Sequence, residues 1–150
     1  MSARPTTAEL KLPAAQLEAI RGHARRSYPD ECCGAIFGRL DGEARVVTDL
    51  QELENSWDPV ERRRRFLITP QEYMRVEKKA DARGLTLLGF YHSHPDAPPR
   101  PSEFDREHAW PWFIYPIIGV NGGEPAELRA WQLRADREGY DEVEIHIDDT

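Results

Sequence analysis

Apolar positions recur along this chain with two periods, and the switches between them divide it into elements. From Pro13 to about Arg26, Leu17, Ile20 and Ala24 fall at helical spacing, which predicts an amphipathic helix. It stops at Tyr28-Pro29-Asp30, because a proline cannot continue the hydrogen-bonded ladder. Ala35-Ile36-Phe37 and Arg45-Val46-Val47 read as short strands around the turn Leu40-Asp41-Gly42-Glu43. Residues 50–61 are polar, with Asn55, Ser56, Asp58 and Pro59, and predict a surface loop; Phe66-Leu67-Ile68 predicts a return to strand. Thr69-Pro70-Gln71-Glu72 is a helix start, with a capping threonine, proline at the first helical position and glutamate closing the box. Tyr73, Val76 and Ala80 continue that helix on one face as far as Gly84. Thr86–Tyr91, Phe113–Val120, Glu127–Leu133 and Glu142–Ile147 predict four further strands. The last alternates Val143, Ile145 and Ile147 against Glu142, Glu144 and His146.

This order of elements, without internal repeats, predicts a mixed sheet of about six strands flanked by two or three helices, an α/β or α+β domain. A chain of 150 residues suits one domain with one substantial core, expected over residues 11–150 behind a loose leader at 1–10.

Composition narrows the function classes. Hydrophobic residues make up 39% and charged residues 31%, a soluble globular balance. No apolar stretch approaches the roughly 20 residues needed to span a bilayer, and the first ten residues lack the apolar core of a secretory signal. A cytoplasmic protein without a membrane partner is expected. The net charge of −7 argues against a general nucleic-acid binder. The local exception is Arg62-Arg63-Arg64-Arg65, either a solvated edge or a patch that docks an acidic partner. Cys32 and Cys33 are adjacent, so they cannot staple distant segments, and they read as small apolar core residues.

The chemistry is concentrated in residues 92–105, His-Ser-His-Pro-Asp-Ala-Pro-Pro-Arg-Pro-Ser-Glu-Phe-Asp. His92 and His94, one residue apart at the end of an apolar run, can point to the same side of a strand. Asp105 follows eleven positions after His94, behind a proline-rich loop. Two imidazoles and a carboxylate form the ligand set of a catalytic zinc site, with a fourth position left for water. Such a site needs a general base, and Glu31, in Tyr-Pro-Asp-Glu-Cys-Cys-Gly, is the candidate. Each element also has a structural reading: the histidines could face water, Glu31 could be a surface acid, and Ser102 with Asp105 could cap a short helix. The cap and ligand readings of Asp105 are compatible, since a capped turn would aim the carboxylate.

His-Ser-His-Pro, six residues, then Ser-X-X-Asp, with a glutamate about sixty residues upstream, resembles the JAMM motif of MPN-domain (JAB) metalloproteases. Tyr28 to Gly34 and Asn55 to Pro70 look like the small bacterial members, so the resemblance covers most of the chain. It implies an MPN fold, itself similar to that of cytidine deaminases, and one Zn2+ per chain held by His92, His94 and Asp105. Glu31 would hold the water, take its proton and pass it to the leaving amine; Ser102 would donate a hydrogen bond to the developing oxyanion. The family hydrolyses amide or isopeptide bonds after the C-terminal glycine of ubiquitin or a ubiquitin-like protein. Small bacterial members look like partners of sulfur-carrier proteins, which implies such a carrier as substrate. Its extended tail could add as a strand beside the sheet, with residues 50–65 as one wall of the groove and their arginines steering the carrier. An exposed sheet edge or the first helix could support a homodimer.

Two other classes make distinct demands. A non-catalytic MPN module binding a ubiquitin-like partner would usually lack the ligands, all of which are present. A zinc deaminase would need a Pro-Cys-X-X-Cys pair, which this chain lacks.

Overall fold

The structure, a computed structural model, describes residues 8–148. Seven strands form one mixed sheet that closes on itself in the order β1-β3-β2-β4-β5-β6-β7. In chain order they are β1 (Glu9–Pro13), β2 (Cys33–Asp41), β3 (Ala44–Leu53), β4 (Thr86–Pro95), β5 (Ile114–Asn121), β6 (Glu124–Leu133) and β7 (Tyr140–Asp148). Helix α1 (Ala14–Ser27) follows β1, α2 (Pro70–Ala82) precedes β4, and α3 (Glu103–His108) lies between β4 and β5. β1 runs parallel to both β3 and β7, and β4 parallel to β5; the remaining pairs are antiparallel.

Both faces of the central strands are covered, so β2, β4 and β5 are buried along most of their length rather than alternately. One core joins Ile20 and Ala24 of α1 to Leu10, Ile36, Leu88 and Ile118 of the sheet. The other joins Val76 and Ala80 of α2 to Phe37, Leu87, Phe90 and Leu133. α2 begins with the expected threonine cap and first-turn proline, Thr69 Oγ1 accepting from the Glu72 amide at 3.1 Å, but Glu72 does not close the box. The Glu72 carboxylate pairs with Arg75. The helix gives way at Gly84, whose φ of 67° suits a residue without Cβ.

Three expectations change. β1 raises the strand count to seven and shortens the leader: Glu9 and Leu10 belong to this strand, and Leu10 is fully buried. Residues 1–7 of the expected leader lie outside the described residues. Phe66-Leu67-Ile68 forms no strand among the described residues; Phe66 instead stacks against the ring of His92, centroids 4.5 Å apart. Among the described residues the sheet also closes on itself, because β7 returns to β1. Beyond the short β1 pairing, α1 lines the outer side of β3, with Gln16 Nε2 donating to Thr48 O at 2.9 Å and Arg26 paired with Glu52. From Val47 to Leu53 the outer side of β3 has no strand partner among the described residues and is partly lined by α1. No helix among the described residues is long and apolar enough to cross a membrane.

Candidate active site

Strand register brings the catalytic candidates together. Across antiparallel β2 and β4, Cys33 pairs with His92 and Gly34 with Tyr91. The approach at Gly34 is close, since an added Cβ would lie 2.3 Å from the Tyr91 ring. Glu31, just ahead of β2, therefore stands beside the end of β4 that carries His92 and His94. The two-residue period turns both histidines to one face and buries Ser93 on the other. The pairing extends past the ladder: Ser93 N donates to Cys32 O at 3.1 Å, and Cys32 N donates to Ser93 Oγ at 2.8 Å.

Glu31 is also tied to the loop between β3 and α2. Its amide donates to Arg62 O at 2.7 Å, and its carbonyl accepts from Asn55 Nδ2 at 3.0 Å. Asn55 uses both ends of its amide: Nδ2 also donates to Arg65 O, and Oδ1 accepts from the amides of Trp57 and Leu67. It thereby binds Glu31 to both ends of a long connection. Asn55, a polar loop residue by its sequence, and Ser93, between the two histidines, carry no motif of their own. Their importance depends on contacts 24 and 61 residues away, which spacing alone does not reveal.

Asp105 comes from α3. Ser102 and Asp105 form a reciprocal capping box, with Asp105 N donating to Ser102 Oγ at 3.0 Å and Ser102 N donating to Asp105 Oδ2 at 2.9 Å. That same oxygen lies 3.2 Å from His92 Nε2 and 3.1 Å from His94 Nε2, while the two imidazole nitrogens are 3.1 Å apart. Glu31 belongs to the same cluster, with ligand atoms of Glu31, His92 and His94 all within 4.8 Å of one another. All four residues are buried.

Protonation gives the cluster its chemical character. His94 Nδ1 donates to Pro98 O at 2.8 Å, so in the neutral ring the Nε2 lone pair faces His92 and Asp105. Burial lowers the pKa of His92 and keeps it neutral, although Asp105 opposes the shift. Burial alone would raise the Asp105 carboxyl, but the two imidazoles outweigh it and hold it below the usual carboxylate range. With Nε2 unprotonated on both rings, these three atoms would repel unless a cation lay among them. A tetrahedral zinc with bonds of about 2.0–2.1 Å holds such ligands about 3.3 Å apart, which fits the observed triangle.

Glu31 is different. Burial, and then the charge of Asp105, push its carboxyl up to about 9, and its buried Oε1 has no hydrogen-bond partner among the described residues. Without a cation that carboxyl holds its proton at neutral pH; a cation among the clustered donors would lower it and free the oxygen to act as a base. Ser102 is exposed; its oxygen accepts from Asp105, which leaves the hydroxyl proton available. Cys32 and Cys33 are free and buried, and burial pushes the Cys32 thiol up to about 12, in keeping with core packing.

Two cavities meet at this cluster. A cleft of about 290 Å³ is lined by Glu31, His94 and Ser102 together with Arg63, Arg64 and Arg100. A chamber of about 280 Å³ adjoins His92 and Asp105 and is walled by Phe66, Phe90, Phe104 and Tyr115. The apolar chamber lowers the polarity around two of the clustered donors, and the cationic cleft reaches the buried acid.

The fold and this donor set point to a hydrolase with a candidate metal site. Residues 13–134 match the family of prokaryotic homologs of the JAB domain. The chain is 35% identical over 122 residues to the desampylase of Haloferax volcanii, covering 78% of this chain and 85% of that protein. It is 34% identical over 113 residues to a probable TtuB-protein conjugate cleaving protease of Thermus thermophilus, covering 75% and 72%. A solved structure from Desulfitobacterium hafniense matches with a TM-score of 0.81 at 33% identity, covering 94% of each chain. The chain belongs to the prokaryotic JAB-domain family and is a hydrolase of the JAMM type.

Proposed function

We propose that this protein is a zinc-dependent peptidase or isopeptidase that cleaves the amide bond after the C-terminal glycine of a ubiquitin-like carrier protein, of the sulfur-carrier kind. His92, His94 and Asp105 hold the metal, Glu31 is the general base, and Ser102 supplies the oxyanion donor. The observation that carries this reading is the convergence of two imidazole nitrogens and a carboxylate oxygen 3.1–3.2 Å apart beside a buried carboxyl with an unpartnered oxygen. Relatives whose names describe desampylation and conjugate cleavage support the substrate class.

Bound zinc would lower the pKa of water to about 7 and polarise the scissile carbonyl. The residues do the rest. His94 is fixed by Pro98 O in the tautomer that presents Nε2, and Asp105 is aimed by its capping box. Glu31 accepts the proton of the attacking water and returns it to the leaving amine, a role that requires the bound cation to bring its carboxyl down from the metal-free value of about 9. Ser102 donates its hydroxyl proton to the carbonyl oxygen as that oxygen becomes negative. One catalytic domain accounts for the described residues, and a reducing cytoplasm suits two unpaired thiols.

The carrier tail reaches the cluster through the cleft beside residues 54–68, with Arg63 and Arg64 on its wall. Incubating the zinc-loaded protein with fusions to several ubiquitin-like carriers and weighing the products tests the function. Scission directly after the terminal glycine is expected. No cleavage of any carrier, or cleavage elsewhere, contradicts the proposal.

A further inference from the structure

Tyr28 and Asp96 belong to the two stretches that carry the site, one three residues ahead of Glu31 and the other two residues past His94. Neither lines the cleft or the chamber. They meet each other instead: Asp96 Oδ2 accepts from the Tyr28 hydroxyl at 2.6 Å. Asp96 Oδ1 accepts from the Gly122 amide at 2.8 Å, and the Asp96 amide donates to Val120 O at 2.6 Å. One residue thus joins the exit of α1, the end of β5 and the turn between β5 and β6. Its φ of 54° is left-handed, a region that Asp and Asn enter more readily than most side chains.

On the ligand side, Asp96 is the middle residue of the turn from His94 to Pro98, and Pro98 O accepts from His94 Nδ1 at 2.8 Å. Anchoring Asp96 on Val120 and Gly122 fixes where that carbonyl stands, and with it the ring that presents Nε2 to the cluster. On the base side, Tyr28 closes α1, its amide donating to Ala24 O at 3.1 Å. Asp30 N donates to Ser27 O at 2.9 Å, so the chain turns tightly between Tyr28 and Glu31. The Glu31 carboxyl has no partner at Oε1, so the backbone on either side of it sets its place. Asn55 and Arg62 hold that backbone from the loop, and Tyr28 holds it from the helix.

The Asp96 carboxylate is exposed, so it contributes geometry more than burial. Its hydrogen bonds are charge-assisted. Both donors sit on backbone that is already ordered, one at a helix end and one in a hairpin turn, so little further ordering is needed. Nor does α1 depend on the pair for its docking, because Ile20 and Ala24 already bury that helix in the core.

We propose that Asp96 is a positioning residue: with Tyr28 it forms a clasp that sets the separation between Glu31 and His94, so that base and metal ligand keep their register. It touches neither substrate nor the reacting atoms. The inference rests on the peptidase reading above.

Three replacements test it. Asp96→Gly removes the carboxylate without backbone strain, since glycine takes a positive φ freely. Asp96→Asn keeps both partners, with Oδ1 accepting from Gly122 and Nδ2 donating to the Tyr28 oxygen. Tyr28→Phe breaks only the link to the Glu31 segment. Zinc affinity is read by chelator competition, and kcat and KM on a carrier conjugate. Asp96→Gly should bind zinc about tenfold more weakly, at the low end of what partners behind a metal ligand contribute. It should also lose about tenfold or more in kcat, the scale of a displaced catalytic group, with KM little changed. Tyr28→Phe should lose kcat and keep its zinc affinity, and Asp96→Asn should recover both.

Wild-type zinc affinity in Asp96→Gly, wild-type kcat in Tyr28→Phe, or no recovery in Asp96→Asn overturns the clasp. A fall in melting temperature alone, with kcat and zinc affinity unchanged, assigns the pair to the fold and overturns it as well. If the wild-type protein cleaves no carrier, the peptidase reading falls by itself and zinc affinity still decides the clasp. Loss in Asp96→Gly with recovery in Asp96→Asn then upholds it, and equal affinities remove it.

Discussion

Cys32 and Ser93 hold each other twice: the Ser93 amide donates to Cys32 O, and Ser93 Oγ accepts the Cys32 amide. This pair fixes Glu31, one residue before Cys32, against the two histidines that flank Ser93. Ser93→Ala leaves a buried amide without an acceptor, which costs about 1–3 kcal/mol. Urea denaturation should show that loss, while zinc binding persists and kcat falls. An unchanged unfolding midpoint would show that the pair does not anchor Glu31.

Asn55 does the same work from the loop. Asn55→Ala removes four hydrogen bonds that tie Trp57, Arg65 and Leu67 to one another and to the Glu31 carbonyl. A displacement of the base by about 1 Å can cost on the order of 100-fold in rate. The expected result is a drop in kcat of tenfold or more with zinc content unchanged, read by steady-state kinetics and metal analysis together.

Ser102 combines two roles that substitutions can separate. Replacing a helix N-cap serine by alanine costs typically about 1 kcal/mol, and by glycine only a few tenths. Losing one oxyanion donor costs on the order of 100- to 1000-fold in rate. Ser102→Gly should therefore be more stable than Ser102→Ala, yet both should lose kcat to the same extent. A Ser102→Gly enzyme with normal turnover would confine Ser102 to capping.

Glu31 makes the stability of the metal-free protein depend on pH. Its folded pKa, about 9, lies above its ordinary value of 4.5, so the unfolded chain releases this proton first as pH rises. The contribution of Glu31 to stability is complete below pH 4.5 and is lost as pH rises towards 9. Metal-free Glu31→Gln should be more stable than metal-free wild type at pH 8, with the difference closing towards pH 4.5. Thermal melts in a chelator across that range measure it.

Much of this was legible in the sequence because the informative residues are close together. His92, His94, Ser102 and Asp105 sit on one strand end and one short capped helix, where periodicity and capping chemistry predict direction. β1 was not legible: Leu10 and Leu12 give too short an alternation, and the strand exists because β3 and β7 accept it on either side. Phe66-Leu67-Ile68 misled because its apolar side chains line the chamber beside His92 without any ladder partner. Arg62 to Arg65 read as one patch, whereas the path of the loop gives two of them structural contacts and turns two to the cleft.

The account depends most on the division of labour between Glu31 and the three clustered donors. Glu31→Gln and His92→Ala, each loaded with zinc, dialysed and analysed for metal, and then assayed on a carrier conjugate, test it most directly. Glu31→Gln should retain one zinc per chain and lose cleavage, and His92→Ala should lose both. Cleavage that survives Glu31→Gln, or zinc that stays on His92→Ala with wild-type affinity, would contradict the account.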